Sequence, residues 1–197
     1  QTLRMANQGL TPNEIAEQLV LPVGLDSLFA CRGYYGSLSH NVKSQYQMYF
    51  GWFDGNPANL NPLPPVELGR KYVEAIGGGE RVIEVARKAY DEGEYRWCAT
   101  LLNNLVFAEP ENQTARQLLA DVYTQLGYQA ESGPWRNFYL TGAKELRGEI
   151  NRQVPNLVNA SSVSNLGADM LLDFCAIQVN GMKAGDKRIC INLTFKD

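Results

Sequence analysis

The sequence predicts a mostly α-helical chain of antiparallel helix pairs that runs into the beginning of an α+β domain. Three observations carry this reading. Residues 66–150 have a helical pattern throughout, punctuated by Gly77-Gly78-Gly79, Gly93, Pro110, Gly127 and Gly133-Pro134. Two segments of that stretch repeat with a shift of 34 residues, Ala86, Tyr90 and Gly93 corresponding to Ala120, Thr124 and Gly127. Near the end the period changes: in RICINLTF, residues 188–195, Ile189, Ile191, Leu193 and Phe195 fall on one face and Arg188, Cys190, Asn192 and Thr194 on the other.

At the N-terminus, Thr11-Pro12-Asn13-Glu14 reads as a helix start. The Thr11 hydroxyl accepts from the Glu14 N–H, Glu14 reaches back, and Pro12 needs no donor in the first turn. Ile15, Ala16 and Leu19 then share a face, and Pro22 is expected to end the helix. Gly33 and Gly36 bracket Tyr34 and Tyr35 in a tight loop, and Ser37 or Ser39 caps a helix running to about Phe50. Val42, Tyr46, Tyr49, Phe50 and Phe53 recur at helical spacing, which predicts a buried stripe. Asp54-Gly55-Asn56-Pro57 is expected to stop this helix, and the Asn/Pro run to Pro65 forms an irregular connector.

Between the repeated segments, Gly93 closes one helix, Tyr95 opens the next and Pro110 precedes Asn112. This spacing resembles a tetratricopeptide unit, in which small residues such as Ala86 and Cys98 let paired helices approach closely. In the last part, Met170, Leu171, Phe174 and Ile177 define a compact helix. A lone terminal strand is not a stable sheet. The expected organisation is therefore N-terminal helices with an aromatic, proline-rich loop (1–65), a helical domain (66–150), a linker (151–167), and the truncated start of a second domain (168–197).

Composition bounds the chemistry. The chain has 197 residues, 45% of them apolar, and a formal charge of -3, so nothing in its overall charge attracts nucleic acid or an anionic membrane. No apolar run approaches the roughly 18–20 residues that cross a bilayer. One histidine, His40, and four cysteines at 31, 98, 175 and 190 with no C-x-x-C pair do not assemble a His-rich zinc site, so no metal ligand and no catalytic residue is assigned here. The cysteines read as packing residues. The chain starts at Gln1 without signal-peptide features, and we expect it to be an internal piece of a longer protein.

The triple glycine is a helix interruption, since neither Lys-Ser nor Lys-Thr follows it. Asp91/Glu92 and Glu109/Glu111 sit at helix ends, where solvated carboxylates are ordinary. The one concentrated polar constellation is R-G-Y-Y-G-S-L-S-H-N, residues 32–41. It sets a guanidinium, two phenols, two hydroxyls and an imidazole beside a helix start, a combination suited to an oxyanion such as sulfate or phosphate. The bland alternative is that Ser39 and His40 merely cap the helix while Arg32 pairs with an acid.

QTLRMANQGLTPNEIAEQL, RGYYGSLSHNVKSQYQMYFGWFDGNPANLNPLPP and CATLLNNLVFAEPENQTARQLLADVYTQLGYQAESGPWRNFYLTGAKELR resemble the middle region of the zinc-dependent alkylsulfatases. That resemblance covers residues 1–150 strongly and 168–197 moderately. It implies a metallo-β-lactamase-like domain upstream carrying the H-x-H-x-D-H zinc ligands, a helical dimerisation domain here, and the opening of a sterol-carrier-protein-2-like domain. It further implies a periplasmic or secreted enzyme that hydrolyses alkyl sulfates such as dodecyl sulfate with a zinc-activated water. This segment would make the homodimer, lend part of the sulfate pocket, and be inactive alone. The family tyrosine that contacts sulfate falls at Tyr46, with Tyr49 the runner-up, and His40 and Arg32 are plausible neighbours by chemistry. The competing reading is a tetratricopeptide-like adaptor gripping a peptide around residues 80–150.

Overall fold

The structure, a computed structural model, describes residues 1–150 and 165–192. It comprises two compact units, Gln1–Asn151 and Arg152–Asp197.

The first unit begins with α1 (Thr2–Ala6) and α2 (Pro12–Gln18). Thr11 forms the expected reciprocal cap: its hydroxyl accepts from the Glu14 N–H at 3.3 Å, and Glu14 accepts from the Thr11 N–H at 2.8 Å. The helix stops at Gln18, before Pro22, which instead leads into the short α3 (Val23–Asp26). Ser37 then caps α4 (Leu38–Phe50), accepting from the His40 N–H at 3.1 Å. Helices α1, α2 and α4 enclose a small core of Met5, Ile15 and Val42.

The aromatic stripe expected on α4 is corrected here. Val42 is buried and Tyr46 half-buried, but Tyr49 is 59% and Phe50 46% exposed, and Phe53 lies beyond the helix end. The reason is length. At about 1.5 Å per residue, α1 with 5 residues and α2 with 7 are too short to cover the 13 residues of α4. The connector that follows contains only a 3-10 turn at Pro57–Asn59, as its prolines and asparagines dictate.

Five longer helices make the second part of this unit: α5 (Pro65–Ile76), α6 (Gly79–Asp91), α7 (Tyr95–Ala108), α8 (Gln113–Gln129) and α9 (Gly133–Arg147). Gly77 and Gly78 break α5 from α6 with φ of +108° and +104°, a region open to glycine. Val82, Ala86, Cys98, Leu102, Leu105, Leu119 and Val122 form the shared core. The Cys98 thiol donates to the Ala86 carbonyl at 3.2 Å, and Tyr90 meets Tyr95 edge-on, so α6 and α7 run antiparallel. Arg116 near the start of α8 donates to the Leu146 carbonyl at 2.9 Å near the end of α9, and Tyr123 packs on Tyr139, so these two helices are antiparallel as well.

Gly127 is not the helix stop that the 34-residue shift implies. It is buried inside α8, and a Cβ there would sit 2.8 Å from the Leu140 side chain. Its role is close approach between helices, which the sequence pattern alone does not distinguish from termination.

Of the cysteines, Cys98 packs as expected, and burial pushes its thiol up to about 11. Cys31 is half-buried, whereas Cys175 and Cys190 are exposed and are not packing residues.

In the second unit, α10 (Ala168–Ala176) and α11 (Gly181–Ala184) are formed. The expected strand over 188–195 is corrected for its described part. Residues 188–192 form no strand, and Ile189 and Ile191 are exposed. A strand needs a neighbour to take its backbone hydrogen bonds. Residues 193–195 and most of the expected linker, 151–164, lie outside the described residues. Among the described residues no helix is long and apolar enough to cross a membrane.

Candidate functional site

The polar loop of residues 32–41 is fixed against the start of α9 by a set of hydrogen bonds that span almost a hundred residues of sequence. The Gly133 N–H donates to the Tyr34 carbonyl at 2.8 Å. The Ser132 hydroxyl donates to the Tyr35 carbonyl at 2.6 Å and, as cap of α9, accepts from the Trp135 N–H at 3.5 Å. Arg32 Nε donates to Glu131 Oε1 at 2.7 Å. Trp135 Nε1 donates to His40 Nδ1 at 3.1 Å.

These contacts border a cleft of about 730 Å³ whose walls include Arg32, Ser37, Asn41, Glu131, Ser132 and Trp135. A second cleft, of about 410 Å³, lies between Ala16, Ser39 and Lys43 on one side and Arg96, Gln129 and Tyr139 on the other. Arg96 there pairs with Glu17 at 3.0 Å, which holds the Glu17 carboxyl below its ordinary range.

Of the four residues singled out from sequence, Arg32 and His40 each bond to the segment around the start of α9, Arg32 to Glu131 and His40 to Trp135, but only Arg32 lines a cleft; His40 borders neither. Glu131 raises the Arg32 guanidinium above its ordinary value, chiefly through the hydrogen bond on Nε. The bond to Glu131 Oε1 is made through Nε. Tyr46 is half-buried against the small core, with its ring 4.9 Å from that of Phe50. Tyr49 is exposed, and neither tyrosine borders the two clefts.

The bland reading is thus right about Arg32, which pairs with an acid. It is wrong about the cap, which is the Ser37 side chain rather than Ser39 or His40. The sequence reading missed Glu131, Ser132 and Trp135. Ser132-Gly133-Pro134 is a legible helix start, but nothing in a single sequence pairs it with residues 34–40.

No three His, Cys, Asp or Glu side chains converge among the described residues. The described donor set therefore does not fit a zinc centre, which needs at least three such ligands.

The sequence matches the family described as alkyl sulfatase dimerisation over residues 11–149, and that described as alkyl sulfatase C-terminal over residues 156–197. It is 50% identical, over its full length, to 29% of a linear primary-alkylsulfatase of a Pseudomonas species. It is 49% identical, over 99% of its length, to 30% of the alkyl/aryl-sulfatase BDS1 of Saccharomyces cerevisiae. The stereoselective inverting sec-alkylsulfatase Pisa1 from Pseudomonas sp. superposes with a TM-score of 0.88 at 47% identity, covering 93% of this chain and 29% of that one. The chain thus spans about three-tenths of the length of these relatives. On the strength of the match across residues 11–149, the chain belongs to the alkyl sulfatase dimerisation family.

Proposed function

We propose that this chain is the dimer-forming and sulfate-contacting segment of an enzyme that hydrolyses medium- and long-chain alkyl sulfates. The observation that carries the reading is the family match over residues 11–149, together with alkylsulfatase relatives at about half identity. In this reading the Arg32 Nη groups and the His40 imidazole face the sulfate ester. Tyr46, or else Tyr49, reaches the same group in the assembled enzyme. The activated water would come from zinc bound by residues of a metallo-β-lactamase-type domain other than those described here. The chain's own residues bind and orient the anion and stabilise charge on the departing sulfate.

A homodimer is supported by the family and by the large exposed side chains around the end of α4, Met48 at 75% and Trp52 at 70%. The antiparallel pairs are read as tetratricopeptide-like units. Residues 168–197 are read as the opening of a sterol-carrier-like domain beyond a linker at 151–167. A periplasmic or secreted location follows from the resemblance alone.

Dodecyl sulfate hydrolysis assayed on this chain with added zinc tests the division of labour. No turnover is expected, and turnover by the isolated chain overturns it. Sedimentation of the same chain tests the dimer, a monomer at micromolar concentration being the adverse result. The peptide-adaptor alternative is not favoured, because the family match covers the same helices.

A further inference from the structure

An indole N–H donates and never accepts, so the 3.1 Å contact from Trp135 Nε1 to His40 Nδ1 determines where the imidazole carries its proton. Nδ1 must present a lone pair. The neutral ring therefore bears its hydrogen on Nε2, which has no partner among the described residues.

Both partners are held in place. The His40 N–H is bonded to the Ser37 cap, and the Trp135 N–H to Ser132, whose hydroxyl is itself tied to the Tyr35 carbonyl. The two rings meet edge-on at 6.1 Å and 70°, and Lys43, one turn along from His40, lies 6.0 Å from the centre of the Trp135 ring.

We propose that Trp135 is a positioning residue: it fixes the tautomer of His40 so that Nε2–H is offered as a hydrogen-bond donor to a sulfate ester. The role toward the ester rests on the sulfate-site reading above; the tautomer does not. Trp135 touches no substrate in this scheme and acts only through the imidazole.

His40 is the sole histidine of the chain, so its ring nitrogens give one pattern in a long-range proton–nitrogen NMR spectrum. At pH 8 the expected pattern is a protonated Nε2, an unprotonated Nδ1, and a scalar coupling between Nδ1 and an indole nitrogen. Trp135→Phe should abolish the coupling and move the pattern toward the tautomer mixture of a free imidazole. A protonated Nδ1, or a pattern identical in the variant, overturns the proposal.

Hexyl sulfate is the ligand probe. Its addition should shift the Nε2 resonance, and Trp135→Phe should weaken its binding about fivefold, the worth of one hydrogen bond. In a His40→Gln background, where the amide nitrogen supplies the donor without help from the indole, Trp135→Phe should change hexyl sulfate binding little. An equal loss in both backgrounds marks Trp135 as merely structural and overturns the positioning role. The expected tautomer with no response to hexyl sulfate upholds the lock and overturns the sulfate-site reading instead.

Discussion

The two halves of the first unit solve the same packing problem to different extents. From α5 to α9, consecutive helices of 12 to 17 residues cover one another along their lengths, and Leu102, Leu105, Leu119 and Val122 are removed from water. In the N-terminal half, two helices shorter than eight residues shelter only one end of α4. There the buried core is three side chains, and the aromatic groups from Tyr49 to Trp52 stay exposed. The contacts that join the halves around residues 32–41 and 131–135 are mainly polar. Apolar burial stabilises roughly in proportion to the area removed from water, so the bundle carries its own stability, and the N-terminal half is arranged by directional bonds.

The largest effect that tests this contrast is expected from Leu105→Ala, which empties a fully buried site at the centre of the bundle. It should cost about 2–5 kcal/mol in global stability, measured by urea unfolding. Ile15→Ala deletes an equally buried side chain in the N-terminal half. Its loss should appear as faster amide exchange confined to α1, α2 and α4. Reduced protection throughout α6–α8 in that variant means that the halves unfold as one.

Next in size is Gly69→Ala. A Cβ at this position would sit 2.5 Å from the Asn104 carbonyl oxygen, part of the backbone of α7. The substitution gains about 1 kcal/mol of helix propensity, yet a net destabilisation of about 1–3 kcal/mol is expected because rigid backbone must move. A rise in thermal midpoint contradicts the close approach of α5 to α7.

Thr11→Ala removes the reciprocal cap of α2 and should cost about 1 kcal/mol, seen again as local exchange. The backbone N–H and then the hydroxyl of Thr11 hold the Glu14 carboxyl below its ordinary range. The folded value is depressed, so this contribution is present above the unfolded value and is lost as pH falls through the folded one. Protection of the α2 amides, measured against their intrinsic exchange rates, should therefore fall below about pH 4, and Thr11→Ala should remove that acid response.

The smallest effect is expected from the Arg32–Glu131 pair, whose side chains are 49% and 42% exposed. A double-mutant cycle with alanine at both positions should give a coupling below about 1 kcal/mol, weakened further by salt. A coupling of several kcal/mol would recast this contact as a main tie between the halves.

Much of the fold was legible from local rules. The Thr11 cap, the Ser37 start of α4, the break at Gly77-Gly78 and the helices from α5 to α9 each follow from a few adjacent residues, whose chemistry acts within one turn of the chain. The loop of residues 32–41 was likewise visible as an unusual gathering of polar groups. Its partners were not, since Glu131, Ser132 and Trp135 reach it across more than ninety residues. Gly127 shows the same limit: a glycine that ends a helix and one that admits a neighbouring helix are written alike.

By itself, then, the sequence determined where helices begin and break and which decade of residues holds the polar chemistry, because capping, proline geometry and periodicity are short-range forces. Only the tertiary structure decided that α4 would keep half its aromatic stripe exposed, that Arg32 would be tied to Glu131, and that the His40 ring would be oriented by an indole. Those outcomes depend on the lengths and approach of distant helices, which local pattern does not encode.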